Sequence, residues 1–135
     1  MKKELRVIML VDDDHNDNFF HEREIKKNNS AINVIEEITG LDGLEYLKLN
    51  QENKELLPDL IFLDINMPVI DGWQFLEKYK QLDQELLSRV VIIMLSTSGY
   101  PEDIERAMSY CIVSEYIIKP LTKEKLEYIK KKYFS

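Results

Sequence analysis

Four carboxylates, one hydroxyl and one ammonium group stand directly after apolar runs of this sequence. Asp12, Asp13 and Asp14 follow Val7 to Val11, Asp64 follows Leu60 to Leu63, Ser96 follows Val90 to Leu95, and Lys119 follows Tyr116 to Ile118. If the first and third runs are neighbouring strands, three of the carboxylates converge on a small volume. Like charges ~4 Å apart repel by roughly 4 kcal/mol per pair at an effective dielectric of 20. Such a cluster binds a cation, captures protons or spreads apart. A donor set made only of oxygens favours Mg²⁺ or a similar hard divalent ion over zinc. Carboxylate, hard cation, hydroxyl and lysine together suit phosphoryl transfer: the carboxylate attacks phosphorus while the other groups neutralise or hydrogen-bond the phosphoryl oxygens. Singly, each has an ordinary explanation. An acidic run after a strand is usually a solvated turn or helix cap, and for Asp14 that is the better reading.

The elements that position these residues alternate regularly. The runs at 7–11, 60–63, 90–95 and 116–118 are continuous and apolar, as strands buried on both faces are. Ile32 to Ile38 is a weaker, half-polar strand suited to a sheet edge. Leu41, Leu44 and Leu47 share a helix face. Ile104, Ala107, Met108 and Cys111 repeat at i, i+3, i+4, i+7, and Leu126, Ile129 and Tyr133 at i, i+3, i+7. Stretches 15–28 and 71–81 are less periodic and are read as helices from what flanks them. Pro101 suits a first helical position and Thr122 an N-cap before 123–133. Lys130 to Lys132 fit a helix C-terminus, and Asp71-Gly72 punctuates the loop before the third helix. This βα alternation predicts an α/β fold, a doubly wound five-stranded parallel sheet with helices on both faces. Ligands of such sheets bind at the carboxyl ends of strands, where the six residues stand.

The totals narrow the classes. The 135 residues suit one domain, and 44% hydrophobic content supplies a core. A net charge of −7, from 25 acidic and 18 basic residues, argues against a nucleic-acid partner. Cys111 is the single cysteine, which excludes an internal disulfide and fits a reducing, cytoplasmic setting. No apolar run approaches membrane-spanning length, and the run after the first lysines is too short for a signal peptide. Four glycines leave no glycine-rich nucleotide loop.

Four segments resemble the signature segments of response-regulator receiver domains of two-component systems. They are Val11-Asp12-Asp13; Leu63-Asp64-Ile65-Asn66-Met67-Pro68 with Asp71-Gly72; Leu95-Ser96-Thr97-Ser98; and Glu115-Tyr116-Ile117-Ile118-Lys119-Pro120. They occur in the family's order and spacing, and the resemblance covers essentially all of residues 1–135. It implies the flavodoxin-like strand order 2-1-3-4-5. It implies Asp64 as phospho-acceptor, with Asp13, Asp64 and the Asn66 carbonyl on Mg²⁺ and Asp12 acting largely through water. Ser96 and Lys119 would each bond a phosphoryl oxygen, the Thr97 N–H would support the third, and Ser96 and Tyr116 would form the switch. Lys119-Pro120 would be cis, as in most relatives. Ser96 replaces the family's usual threonine, and Thr97 is bulkier than the usual alanine or glycine. Tyr110 to Ser114 replaces a common Ala-Gly pair, which bears on where the fourth helix ends and not on the site.

The resemblance implies a stand-alone receiver with no attached output domain, a switch and not a turnover enzyme. A histidine kinase or histidine phosphotransfer protein would phosphorylate Asp64, and the face formed by the fourth helix, fifth strand and fifth helix would change for an unknown downstream protein. A phosphate sink or relay is the alternative. A Mg²⁺-dependent aspartyl-phosphate phosphohydrolase is disfavoured, because Asn66 stands where its acid would. Among the remaining residues, His15 and His21 are expected on a solvated helix face, Trp73, Phe75 and Tyr79 in the core, Cys111 buried on the fourth helix, and the terminal lysines in solvent.

Overall fold

The computed structural model describes residues 5–28, 31, 33–53 and 55–134. Met1 to Glu4 and Ile32, the expected first residue of the second strand, lie outside the described residues. Among the described residues there are five strands: β1 (Val7–Val11), β2 (Asn33–Glu37), β3 (Leu60–Leu63), β4 (Val91–Ser96) and β5 (Val113–Ile118). Six helices connect or follow them: α1 (His15–Lys27), α2 (Gly40–Leu49), α3 (Gly72–Tyr79), α4 (Gln84–Arg89), α5 (Pro101–Met108) and α6 (Lys123–Tyr133). All pairings are parallel, in the order β2-β1-β3-β4-β5. The short α4 is absent from the sequence reading, which expected five helices.

Strand alternation divides the core into two layers, because successive side chains point to opposite faces. Met9, Val11, Ile61, Leu63, Ile92 and Met94 meet α2, α3 and α5 through Leu44, Leu47, Phe75, Leu76, Tyr79 and Ala107. Ile8, Leu10, Leu60, Phe62, Ile93 and Leu95 meet α1 and α6 through Ile25, Leu126 and Ile129. The central strands need apolar residues at every position for this reason, while edge strand β2 does not. Trp73, Phe75 and Tyr79 are core residues, as expected. Leu41 is not: it is 45% exposed while Leu44 and Leu47 are buried.

Asp59 aligns the amino ends of three strands. Its carboxylate accepts the Arg6 and Val7 N–H groups at 2.9 and 3.0 Å. Its own N–H donates to the Val7 carbonyl, and its carbonyl accepts the Val91 N–H. At the other end of the sheet Gly72 is pinned by the close approach of α3 to β3. A Cβ there would lie 2.6 Å from the Asp64 carbonyl oxygen and 2.9 Å from the Ile65 Cα. Asp71 caps α3 in a reciprocal box with Gln74.

The expectation that the fourth helix carries a buried Cys111 needs correction. α5 ends at Met108, so Cys111 lies beyond it on a turn and is exposed. The apolar position is filled instead by Tyr110, stacked on Trp73 with ring centroids 6.3 Å apart. In β5 the register slips between Ile92/Val113 and Ile93/Glu115, leaving Ser114 as an extra residue. That bulge reverses the alternation, so Val113 and Tyr116 both join the α2–α3–α5 layer although three positions apart.

Candidate functional site

Backbone hydrogen bonds carry the strand register one step past the carboxyl ends of the sheet. The Asp12 N–H donates to the Glu37 carbonyl, the Asp64 N–H to Val11, and the Lys119 N–H to Ser96. The groups these residues bear are thereby brought to one end of the sheet, above neighbouring strands. Carboxylate oxygens of Asp12, Asp13 and Asp64 all lie within 4.8 Å of one another. Asp12 and Asp64 are buried, at 5% and 8% exposure, whereas Asp13 faces solvent. Lys119 Nζ donates to Asp12 Oδ2 at 2.7 Å and lies 3.7 Å from Asp64 Oδ1.

The electrostatics follow from that packing. Burial, then the charge of Asp12, pushes the Asp64 carboxyl up to about 6 against the opposing pull of Lys119. Burial works against the Lys119 ammonium, but its hydrogen bonds to Asp12 and Asp17 prevail and hold it above the ordinary lysine value. The all-oxygen trio therefore fits a hard divalent cation: its members are close enough to share one, and a cation would offset both the burial of Asp64 and its repulsion by Asp12. Both Asp12 oxygens already have partners, Oδ1 accepting the Asp14 N–H at 3.0 Å and Oδ2 the Lys119 ammonium.

Ser96 is fully buried, and its Oγ accepts the Ser98 N–H at 3.1 Å. Thr97 and Asn66 are exposed near the ends of β4 and β3. Tyr116 is half-buried and its hydroxyl donates to the Ser98 carbonyl at 2.8 Å, so its ring is already tied to the loop after β4. The Lys119-Pro120 bond is cis. Asp14 is a helix cap, accepting the Asn16 and Asp17 N–H groups.

Four residues of this region escaped the sequence reading. Asp17 accepts a second short hydrogen bond from Lys119, at 2.7 Å. Asn18 donates to the Asp12 carbonyl at 2.8 Å, while its Oδ1 is buried without a partner among the described residues. His21, expected in solvent, is 2% exposed and lines a small cavity with Asn18, Asp12 and Asp64; burial, then Lys119, lowers its pKa. Ser98 links three parts, since its Oγ also donates to Asp103 in the first turn of α5 at 2.5 Å. A signal for two of them existed: Asn18, His21 and Ile25 are the buried stripe of α1, at i, i+3 and i+7. A count of apolar residues alone passes over it.

The response regulator receiver domain model matches residues 8–130. The chain belongs to that family. Receiver domains are in general signalling switches and not turnover enzymes. A crystal structure of a two-component response regulator from Cytophaga hutchinsonii superposes on this receiver with a TM-score of 0.89, at 28% identity, over 96% of this chain and 97% of that one. The probable methanogenesis regulatory protein FilR2 of Methanothrix harundinacea is 35% identical over 88 residues, 65% of this chain and 55% of that protein. The sensor histidine kinase CheAY of Helicobacter pylori is 28% identical over 126 residues, 93% of this chain but 15% of its own length. This chain thus spans only part of those two relatives. No helix among the described residues is long and apolar enough to cross a membrane.

Proposed function

We propose that this receiver takes a phosphoryl group on Asp64 from a phosphohistidine of a histidine kinase or phosphotransfer protein, in the cytoplasm, and passes the change to a protein partner. The observation that carries this reading is the convergence of Asp12, Asp13 and Asp64 beside Lys119 at the carboxyl end of a receiver sheet. An Asp64 carboxylate oxygen attacks the donor phosphorus, the P–N bond breaks, and the leaving imidazole takes up a proton. Asp13, Asp64 and the Asn66 carbonyl would hold Mg²⁺, with Asp12 acting through water. That ion supplies neutralisation of the phosphoryl oxygens. Lys119 and the Ser96 hydroxyl each bond one of those oxygens and the Thr97 N–H supports the third.

The signal leaves through Ser98. A Ser96 hydroxyl drawn to the phosphoryl group gives up the Ser98 N–H, and the Ser98 carbonyl and hydroxyl hold Tyr116 and Asp103. Movement there alters the face made by α5, β5 and α6, where Ile118 and Tyr128 are 44% and 47% exposed. The test is incubation with a small-molecule phosphodonor and Mg²⁺, followed by intact mass. One phosphate adduct, labile in base and absent from Asp64→Asn, is the expected result. An adduct that survives in Asp64→Asn overturns the acceptor assignment, and repeated turnover of donor without adduct supports a phosphohydrolase instead.

A further inference from the structure

Lys119 has three N–H bonds to donate, and two are spent on short contacts, with Asp12 and Asp17 at 2.7 Å each. The third neighbour, Asp64 Oδ1 at 3.7 Å, is beyond hydrogen-bond distance. The two short contacts differ in what surrounds them. The Asp12 side chain is 7% exposed, so abandoning it leaves a buried charge without compensation, which is costly. The Asp17 side chain is 38% exposed and water replaces a lost ammonium there at little cost. Asp17 is nevertheless well placed to hold Lys119. It is the third residue of α1, its own N–H is bound by the Asp14 cap, and a carboxylate in a first helical turn is favoured by the helix dipole. An ammonium that reaches for a phosphoryl oxygen on Asp64 therefore lets go of Asp17 first.

We propose that Asp17 is a positioning residue that parks Lys119 in the unmodified chain and releases it when Asp64 carries a phosphoryl group, so that the parking contact opposes modification. This rests on Asp64 being the acceptor. The probe is beryllofluoride, a phosphoryl mimic, titrated with Mg²⁺ into the whole chain. Asp17→Asn is expected to bind it about fivefold more tightly than wild type, the scale of one partly exposed ion pair. Loss of a negative charge alone would also favour an anion, so the same substitution is made in a Lys119→Met background, where the gain should shrink toward nothing. In wild type the Asp17 carboxyl ¹³C resonance should move on beryllofluoride addition toward its position in Lys119→Met. That shift decides the matter if the Lys119→Met proteins bind too weakly to measure. No beryllofluoride binding by wild type overturns the acceptor reading and this one together. Binding by wild type with no gain in Asp17→Asn, an equal gain without Lys119, or a stationary Asp17 resonance overturns the parking role alone.

Discussion

Lys119 neutralises part of a cluster whose members otherwise repel, and the residues around it divide by how they reach the site. Asp12, Asp13, Asp64, Ser96 and Lys119 are legible because each stands in the polar segment that directly follows an apolar run, a position that parallel α/β sheets reserve for ligands. Asp17, Asn18 and His21 are not, because they reach the same place from the side of a helix whose buried stripe is polar at two of its three residues. The core holds a second polar exception. Tyr79 is fully buried and its hydroxyl has no partner among the described residues. An unsatisfied buried hydroxyl costs about 1–3 kcal/mol, whereas the ring that carries it still fills its space. Tyr79→Phe is therefore expected to raise stability by ~1 kcal/mol, seen as a higher urea midpoint with an unchanged slope. A lower midpoint means that the hydroxyl is bonded in solution.

At the scale of elements, the strands were read to within a residue where they are buried on both faces, and less well elsewhere. β5 begins three residues before its apolar run, and its bulge, which turns Tyr116 toward α5, leaves no mark in hydrophobic pattern because both parities place an apolar group in one of the two layers. α5 stops short of Cys111 because Tyr110 takes the contact with Trp73 and the last carbonyls are met by Ser109, whose Oγ donates to Arg106 at 2.6 Å. α4 is too short to show a period. By sequence Asp71-Gly72 is loop punctuation, yet in the fold Gly72 lets α3 start against the backbone of Asp64 and Ile65. In an ordinary helix Gly→Ala stabilises slightly. Here the added methyl meets backbone atoms that cannot rotate away, so Gly72→Ala is expected to cost about 1–3 kcal/mol, as overpacking does, and to weaken phosphorylation of Asp64 in the same protein. Unchanged melting places the α3 start farther from β3 than the structure has it.

Across the whole molecule, acidic side chains outnumber basic ones, and one pair of carboxyls shares a proton where two elements meet. Glu22 on α1 and Glu36 on β2 are hydrogen-bonded to each other. That bond, then burial and the charge of Glu22, pushes Glu36 up to about 7, while Glu22, bonded to Glu36 and to Lys26, is lowered. The folded chain therefore keeps a proton on Glu36 between about 4.5 and 7 that the unfolded chain has released. Stability changes with pH in proportion to protons bound unfolded minus folded, so the contribution of Glu36 is present at low pH and is lost as pH rises through about 7. Asp64, pushed up to about 6, acts in the same sense, and His21, lowered by burial, in the opposite one below its unfolded value near 6.5. A wild-type melting curve mixes these contributions with those of other shifted carboxyls, but a substitution at Glu36 leaves Asp64 and His21 in place. Glu36→Gln keeps an N–H donor facing Glu22 at every pH. Near pH 5 it should melt close to wild type, and near pH 8 it should melt higher, because wild type then holds two charged carboxylates against one another across α1 and β2. A melting difference that stays constant from pH 5 to pH 8 would mean that the two carboxyls titrate independently and that α1 meets the edge strand without a shared proton.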